Sequence, residues 1–176
     1  GIGPENVGEV IQRRSHLFQS FHSEIIEFCQ NKGFSSQSAI LEALWDLWLP
    51  LAIQIAVYRP KMAHPLIQGI LGGQGTGKTT LAAILILILQ HLGYRTIALS
   101  LDDLYKTYLE RQRLKEEDPG LIWRGPPGTH DVNLGIAVLD RLRQGQGAIE
   151  IPRFDKSAWG GEGDRTRSEM VENIDI

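Results

Sequence analysis

A chain of 176 residues, 42% hydrophobic and 22% charged, is long enough to bury a substantial core and fits one domain with at most a small appendage. Its formal net charge of −3 creates no global basic field, which argues against nucleic acid or an anionic membrane as partner. The lone cysteine, Cys29, excludes an internal disulfide, suits a reducing compartment such as the cytoplasm, and reads as a small core residue on a helix.

In chain order, Gly1–Glu9 holds glycines and a proline and reads as a loose arm without signal or transit character. It opens on Gly1 rather than Met, so an upstream segment is expected to have been removed; had that been a transit segment, the plastid stroma would replace the cytoplasm. From Val10 to Gln30, apolar residues such as Leu17, Phe21, Ile25 and Phe28 recur at roughly helical spacing, and Gly33 is placed to end that helix. Ser35, Ser36 and Ser38 offer N-cap hydroxyls for a second helix, Ala39–Tyr58. Glu42, Asp46, Gln54 and the mid-helix Pro50 argue against a membrane span there, and the lack of Lys or Arg before Arg59 argues against an interfacial helix. The remaining reading is a helix packed on the core and kinked at Pro50, with Trp45 and Trp48 at the contact. Arg59–Pro65 reads as a linker, so residues 1–62 are expected to form a helical segment and residues 63–176 the principal core.

Leu66–Leu71 has the pattern of an apolar strand and Thr79–Leu92 that of an apolar helix. Between them GGQGTGKT, Gly72–Thr79, satisfies G-x-x-x-x-G-K-[ST]. Glycines let such a loop curl until successive N–H groups point at phosphate oxygens, and the helix behind it adds its positive dipole end. Gly72, Gly73, Gln74, Gly75, Thr76, Gly77, Lys78, Thr79 and Thr80 are therefore the candidate nucleotide site. Lys78 would reach the β- and γ-phosphates of ATP, and the Thr79 hydroxyl would ligate Mg2+. Lys78 is the only formal charge between Ala63 and Tyr94, and a cation in so apolar a stretch needs an anion to meet it. Tyr94–Leu101 reads as a second buried strand. Strand, helix and strand imply a right-handed parallel crossover, hence an α/β fold with ligand at the strands' C-terminal ends.

Asp102 and Asp103 fall at that edge. A carboxylate there would act as base toward an acceptor hydroxyl or as an outer-shell Mg2+ partner; strand-end acids also serve as loop caps. Leu104–Asp118 interleaves charges of both signs and reads as a solvated helix without chemistry. In WRGPPGTHD, Trp123–Asp131, a rigid loop brings Arg124, His130 and Asp131 together. Arg124 could clamp a substrate carboxylate or simply pair with Asp131. Val132–Gln144 returns to helical spacing. Ile149–Arg167 opens as a strand and becomes a glycine-rich loop bearing Arg153, Asp155, Lys156 and Arg165, which reads as a substrate lid or as a solvated loop. Ile174–Ile176 reads as the start of another buried strand, cut short.

Ser100–Tyr105, SLDDLY, resembles the S-x-D-D-F-Y segment of the P-loop kinases that include uridine kinase, pantothenate kinase and phosphoribulokinase, with Leu104 in place of Phe. RGPPGTHD and PRFDKSAWGGEGDR are similar to the D-glycerate 3-kinases of plants, fungi and cyanobacteria. The resemblance implies a P-loop kinase with a parallel sheet flanked by helices and preceded by N-terminal helices. It implies ATP and Mg2+ as cofactors and D-glycerate as acceptor. Asp102 would be the catalytic base, also reaching Mg2+ through water, with Lys78 beside the phosphates. Asp103, Tyr105, Arg124, His130, Asp131, Arg153, Asp155, Lys156 and Arg165 match the acceptor-side segments. Members of that group continue past this point with a further strand, placed between the phosphate-loop strand and the Asp102 strand. The chain is therefore expected to be truncated before that strand is complete, and to have weak or no kinase activity alone. On its residues, two other functions stay open: a kinase of another small acceptor, such as a nucleoside or pantothenate, and a nucleotide-binding module without catalysis.

Overall fold

The computed structural model describes residues 7–121, 123–145 and 147–176. Of the arm expected over Gly1–Glu9, residues 1–6 lie outside the described residues, and Val7–Glu9 already belong to a helix. The chain divides into two compact units, one of Gly1–Ile97 with Asp175–Ile176 and one of Ala98–Ile174. The division falls after Ile97 rather than at residue 62, because the N-terminal helices share their core with the helix that follows the glycine loop.

The first unit contains α1 (Val7–Asn31), α2 (Gln37–Ala43), a π-helical turn at Leu44–Trp48, α3 (Leu49–Tyr58) and α4 (Lys78–His91). Ser36 caps α2, its hydroxyl accepting the Ala39 N–H at 3.3 Å. Pro50 has no N–H to donate, and its ring crowds the preceding turn. A wider turn just upstream accommodates it: the Leu49 N–H bonds to the Leu44 carbonyl, five residues back, and the helix continues. Gln37–Lys61 is long and apolar enough to cross a membrane by length and composition alone, yet its Ile40, Leu44, Leu49, Ala52 and Ile55 lie buried in the core. Phe21, Ile25 and Cys29 of α1 and Ile84, Leu85, Ile88 and Leu89 of α4 complete that core. Burial raises the Cys29 thiol pKa, as a core cysteine requires.

Leu66–Leu71 and Tyr94–Ser100 are not laddered strands among the described residues. The Leu66 N–H donates to the Asp175 carbonyl at 2.8 Å, and the Ile97 N–H to the Ile176 carbonyl at 3.0 Å. The Asp175 and Ile176 N–H groups both donate to the Arg95 carbonyl, at 2.8 and 3.3 Å. Asp175 adds its carboxylate, which accepts from Arg59 Nη2 at 3.1 Å and from the Arg95 N–H at 3.0 Å. Pairing this short on each side of Asp175–Ile176 falls below a β-ladder, so the expected parallel sheet is represented only by these hydrogen bonds.

The second unit contains a 3-10 turn at Leu101–Leu104, α5 (Tyr108–Glu117), α6 (Val132–Gln144), β1 (Ile149–Asp155) and β2 (Asp164–Val171). β1 and β2 pair antiparallel from Ile149 opposite Val171 to Asp155 opposite Asp164. The register shifts between Ile151 and Arg153, where Pro152 offers no N–H to the ladder. α6 packs on β1 and on the Leu101–Leu104 turn. Gly135 permits that approach, since a Cβ there would stand 2.9 Å from Leu104 Cδ1. Ile149, Ile151, Val138 and Leu104 are buried in this unit.

Ile88 of α4 is fully buried. Ile88→Ala is expected to destabilise the first unit by roughly 2–5 kcal/mol, seen as a lower urea midpoint at unchanged m-value. A loss below about 1 kcal/mol would show that α4 is not packed as described.

Candidate active site

In the first unit, Gly75 and Gly77 adopt φ of 76° and 80°, and Gly77 is the N-cap of α4. Both lie in the left-handed region that favours glycine. A Cβ on Gly72 would stand 2.8 Å from Thr76 Oγ1. Lys78 Nζ folds back to donate to the Gly72 and Gly73 carbonyls at 2.8 and 2.6 Å, while Thr76 Oγ1 donates to the Gly73 carbonyl at 2.8 Å. Gln74 and Thr79 are exposed, and Thr80 is half-buried. A glycine-lined curl, with the Lys78 ammonium at its carbonyls and the N-terminus of α4 behind it, fits a phosphate group. Magnesium takes few protein ligands when phosphates supply the others. The exposed Thr79 hydroxyl suits that role, and no cluster of three His, Cys, Asp or Glu among the described residues would hold a metal unaided.

In the second unit, Asp102 Oδ2 lies 2.5 Å from Lys156 Nζ. Tyr105 is bridged to His130 through the backbone, and their rings stack with centres 4.2 Å apart. The Lys106 N–H donates to the Thr129 carbonyl at 3.0 Å and the Asp131 N–H to the Leu104 carbonyl at 2.7 Å, so the SLDDLY and GTHD segments run side by side. The Tyr105 ring also leans on Phe154, 5.2 Å away. Burial first, and then the negative charge of Asp102, push the Tyr105 phenol above its ordinary pKa. Arg124 donates to the Gly161 carbonyl, and its guanidinium lies 5.9 Å from the Phe154 ring centre. Asp102, Tyr105, Arg124, His130 and Lys156 are thus gathered around one aromatic cluster.

The other candidates are engaged with the fold. Asp103 accepts the Ser100 N–H at 3.0 Å, the Phe154 N–H at 3.2 Å and Arg153 Nη1 at 3.2 Å. Arg153 further donates to Glu169 at 2.6 Å and to the Ala98 carbonyl at 2.8 Å. Asp131 caps α6 by accepting the Leu134 N–H at 3.0 Å and pairs with Arg165 Nη2 at 2.9 Å. Arg165 Nε donates to the Tyr105 carbonyl at 2.9 Å. Asp155 accepts from the Ser157 N–H and hydroxyl at 2.8 and 2.6 Å, closing the turn that starts the glycine-rich loop.

Sequence patterning overlooked Arg111 and Glu162. Arg111 sits in the mixed-charge run read as solvated, yet it is buried and donates to the Glu162 and Gly163 carbonyls. The Glu162 carboxylate accepts from Gln112 and Lys115 at 3.0 and 2.6 Å. One arginine among many charges carries no local signature of burial, so only the packing reveals it.

Comparison with known proteins agrees with the motifs. The chain is 31% identical over 184 residues to the chloroplastic D-glycerate 3-kinase of Arabidopsis thaliana, a match covering 96% of this chain and 39% of that protein. It is 41% identical over 106 residues to the uncharacterized kinase mug58 of Schizosaccharomyces pombe, covering 58% of this chain and 38% of the relative. Among solved structures, D-glycerate 3-kinase from Cryptococcus neoformans superposes with a TM-score of 0.63 at 30% identity, covering 74% of this chain and 50% of that one. No protein-family model matches the chain. The chain therefore spans about two-fifths of these curated relatives and half of the solved one.

Asp131 also offers a pH test. The Leu134 N–H first, and then Arg165, hold its carboxyl below the ordinary value of 3.8. A depressed folded pKa contributes stability that is present above the ordinary value and lost as pH falls through the folded one. Asp131→Asn, which can still cap α6, is expected to lower stability at neutral pH by about 1 kcal/mol and to flatten the decline below pH 3.8. Urea titrations from pH 7 to pH 2 check this, and an unchanged acid slope would refute it.

Proposed function

We propose that this relative of the D-glycerate 3-kinases, and through them of the P-loop kinases, is an ATP-dependent small-molecule kinase converting D-glycerate to 3-phosphoglycerate. The observation that carries the reading is the Asp102–Lys156 pair beside Tyr105, His130 and Arg124. It lies within the segments whose motifs resemble that family. A parallel P-loop sheet and a cytoplasmic or plastid setting belong to the same proposal.

In this reading the Gly72–Gly77 amides and Lys78 bind the β- and γ-phosphates of ATP, Lys78 exchanging its own loop carbonyls for phosphate oxygens. Thr79 would hold Mg2+ through its hydroxyl, with Asp102 the outer-shell partner that the family resemblance implies, and the ion would supply neutralisation of phosphate charge. Asp102 accepts the proton of the glycerate 3-hydroxyl as that oxygen bonds to the γ-phosphorus and the bond to ADP breaks. Lys156 and Arg124 offer positive charge to the substrate carboxylate and to the transferring group. Tyr105 and His130 form an aromatic wall that orients the acceptor. Asp103, Asp131, Arg153, Asp155 and Arg165 serve the acceptor side by holding those groups in place.

Coupled ADP release with D-glycerate, uridine and pantothenate tests the proposal. Turnover should require D-glycerate, and Asp102→Asn should lower kcat by about 10²–10⁴-fold while ATP still binds. Lys78→Ala should abolish ATP binding. Turnover with uridine or pantothenate in preference to D-glycerate would overturn the acceptor, and ATP binding without any transfer would favour the nucleotide-binding module without catalysis for this chain.

A further inference from the structure

Arg111 of α5 is 5% exposed. A buried guanidinium is costly unless its N–H groups are used. Here Nη1 donates to the Lys106 carbonyl at 2.5 Å, and Nη2 donates to the Glu162 carbonyl at 2.8 Å and the Gly163 carbonyl at 2.5 Å. The guanidinium also lies over the Phe154 ring, 5.3 Å from its centre. These carbonyls belong to separate segments: Lys106 follows the SLDDLY segment, whereas Glu162 and Gly163 close the glycine-rich loop before β2.

Neighbouring contacts point the same way. Gln112 and Lys115, further along α5, take the Glu162 carboxylate at 3.0 and 2.6 Å. Trp159 stacks on Tyr108 at the start of α5, ring centres 4.5 Å apart, and donates its indole N–H to Asp164 at 2.9 Å. Gly163 is buried with φ of 77°, and a Cβ there would run into the Phe154 ring. The loop therefore closes against α5 with no slack at its far end. Its near end carries Lys156, paired with Asp102, and its middle presents the Gly161 carbonyl to Arg124.

We propose that Arg111 is a positioning residue: by clamping Glu162 and Gly163 to α5, it holds the 156–163 loop so that Lys156 stays on Asp102. The inference rests on the reading of Asp102 and Lys156 as reacting groups. It differs in that Arg111 touches neither of them and acts through the loop backbone.

The test measures acylation of the Lys156 amine by an amine-reactive reagent, quantified by peptide mass spectrometry against Lys32, together with kcat and KM for D-glycerate. Arg111→Lys keeps the charge but cannot bridge both segments. It should raise Lys156 acylation about tenfold and lower kcat about tenfold, with a smaller change in KM. Lys115→Ala loosens the same clamp from the surface. It should shift both readouts in the same direction by about threefold at a wild-type unfolding midpoint, and it decides the matter if Arg111→Lys does not fold. Wild-type Lys156 acylation in the folded variants overturns the proposal, and so does faster acylation with unchanged kcat. If the unsubstituted protein phosphorylates no acceptor, the functional reading falls, and Lys156 acylation alone then decides whether Arg111 positions the loop.

Discussion

An apolar helix that begins at a glycine loop must be covered along its length while its first turn stays open to solvent. α4 meets this constraint: Ile84, Leu85, Ile88 and Leu89 are buried, whereas Gly72–Gly77 and Thr79 at its start are exposed. The cover comes from α1 and from the helical run through Leu44 and Leu49. Burial of these side chains is the main favourable term holding the unit together. It also anchors the helix end at which an anion would be bound, so the N-terminal helices serve the loop by holding α4 in place. The same demand explains why a proline is tolerated in the middle of that cover. A π-turn at Leu44–Trp48 absorbs Pro50, and Leu44, Trp48 and Leu49 remain buried.

The second unit is organised by a different force. Its apolar core is small, and much of its order comes from charged side chains used as internal fasteners. Asp103 ties the Leu101–Leu104 turn to β1, Asp131 ties α6 to Arg165, and Arg111 ties α5 to the end of the glycine-rich loop. Each such group donates or accepts several hydrogen bonds, which is what makes its removal from water tolerable. The groups left around Tyr105 are those with fewer structural duties. Fasteners and reactive candidates thus alternate along the same motifs: Asp102 beside Asp103, His130 beside Asp131.

That alternation bears on how much of the site was legible beforehand. The glycine loop was legible as a conformation, because it is set by residues adjacent in sequence: Gly75 and Gly77 take the left-handed φ that such a curl calls for. The helices Val132–Gln144 and Val7–Asn31 were legible from spacing, with the second beginning within the stretch first read as an arm. Motif matching singled out Asp102 from Asp103 only through the family resemblance, and it grouped Lys156 with Arg153, although the structure pairs Lys156 with Asp102 and Arg153 with Asp103. Their partners lie roughly 50 residues apart in the chain, as with Arg153 and Asp103.

The sequence by itself determined the helical character of the N-terminal segment and the placement of Cys29 in a core, and it carried the GGQGTGKT pattern and the motifs that resemble the P-loop kinases. All of these follow from local pattern, where side-chain size and backbone freedom act over a few residues. Only the tertiary structure decided that the N-terminal helices and α4 form one unit, that Leu66 and Ile97 meet Asp175–Ile176, and that Arg111 is buried rather than solvated. Those outcomes depend on which distant carbonyls and apolar faces come together. A charge that looks identical on every turn of a helix acquires its role only when another segment brings it the acceptors it needs.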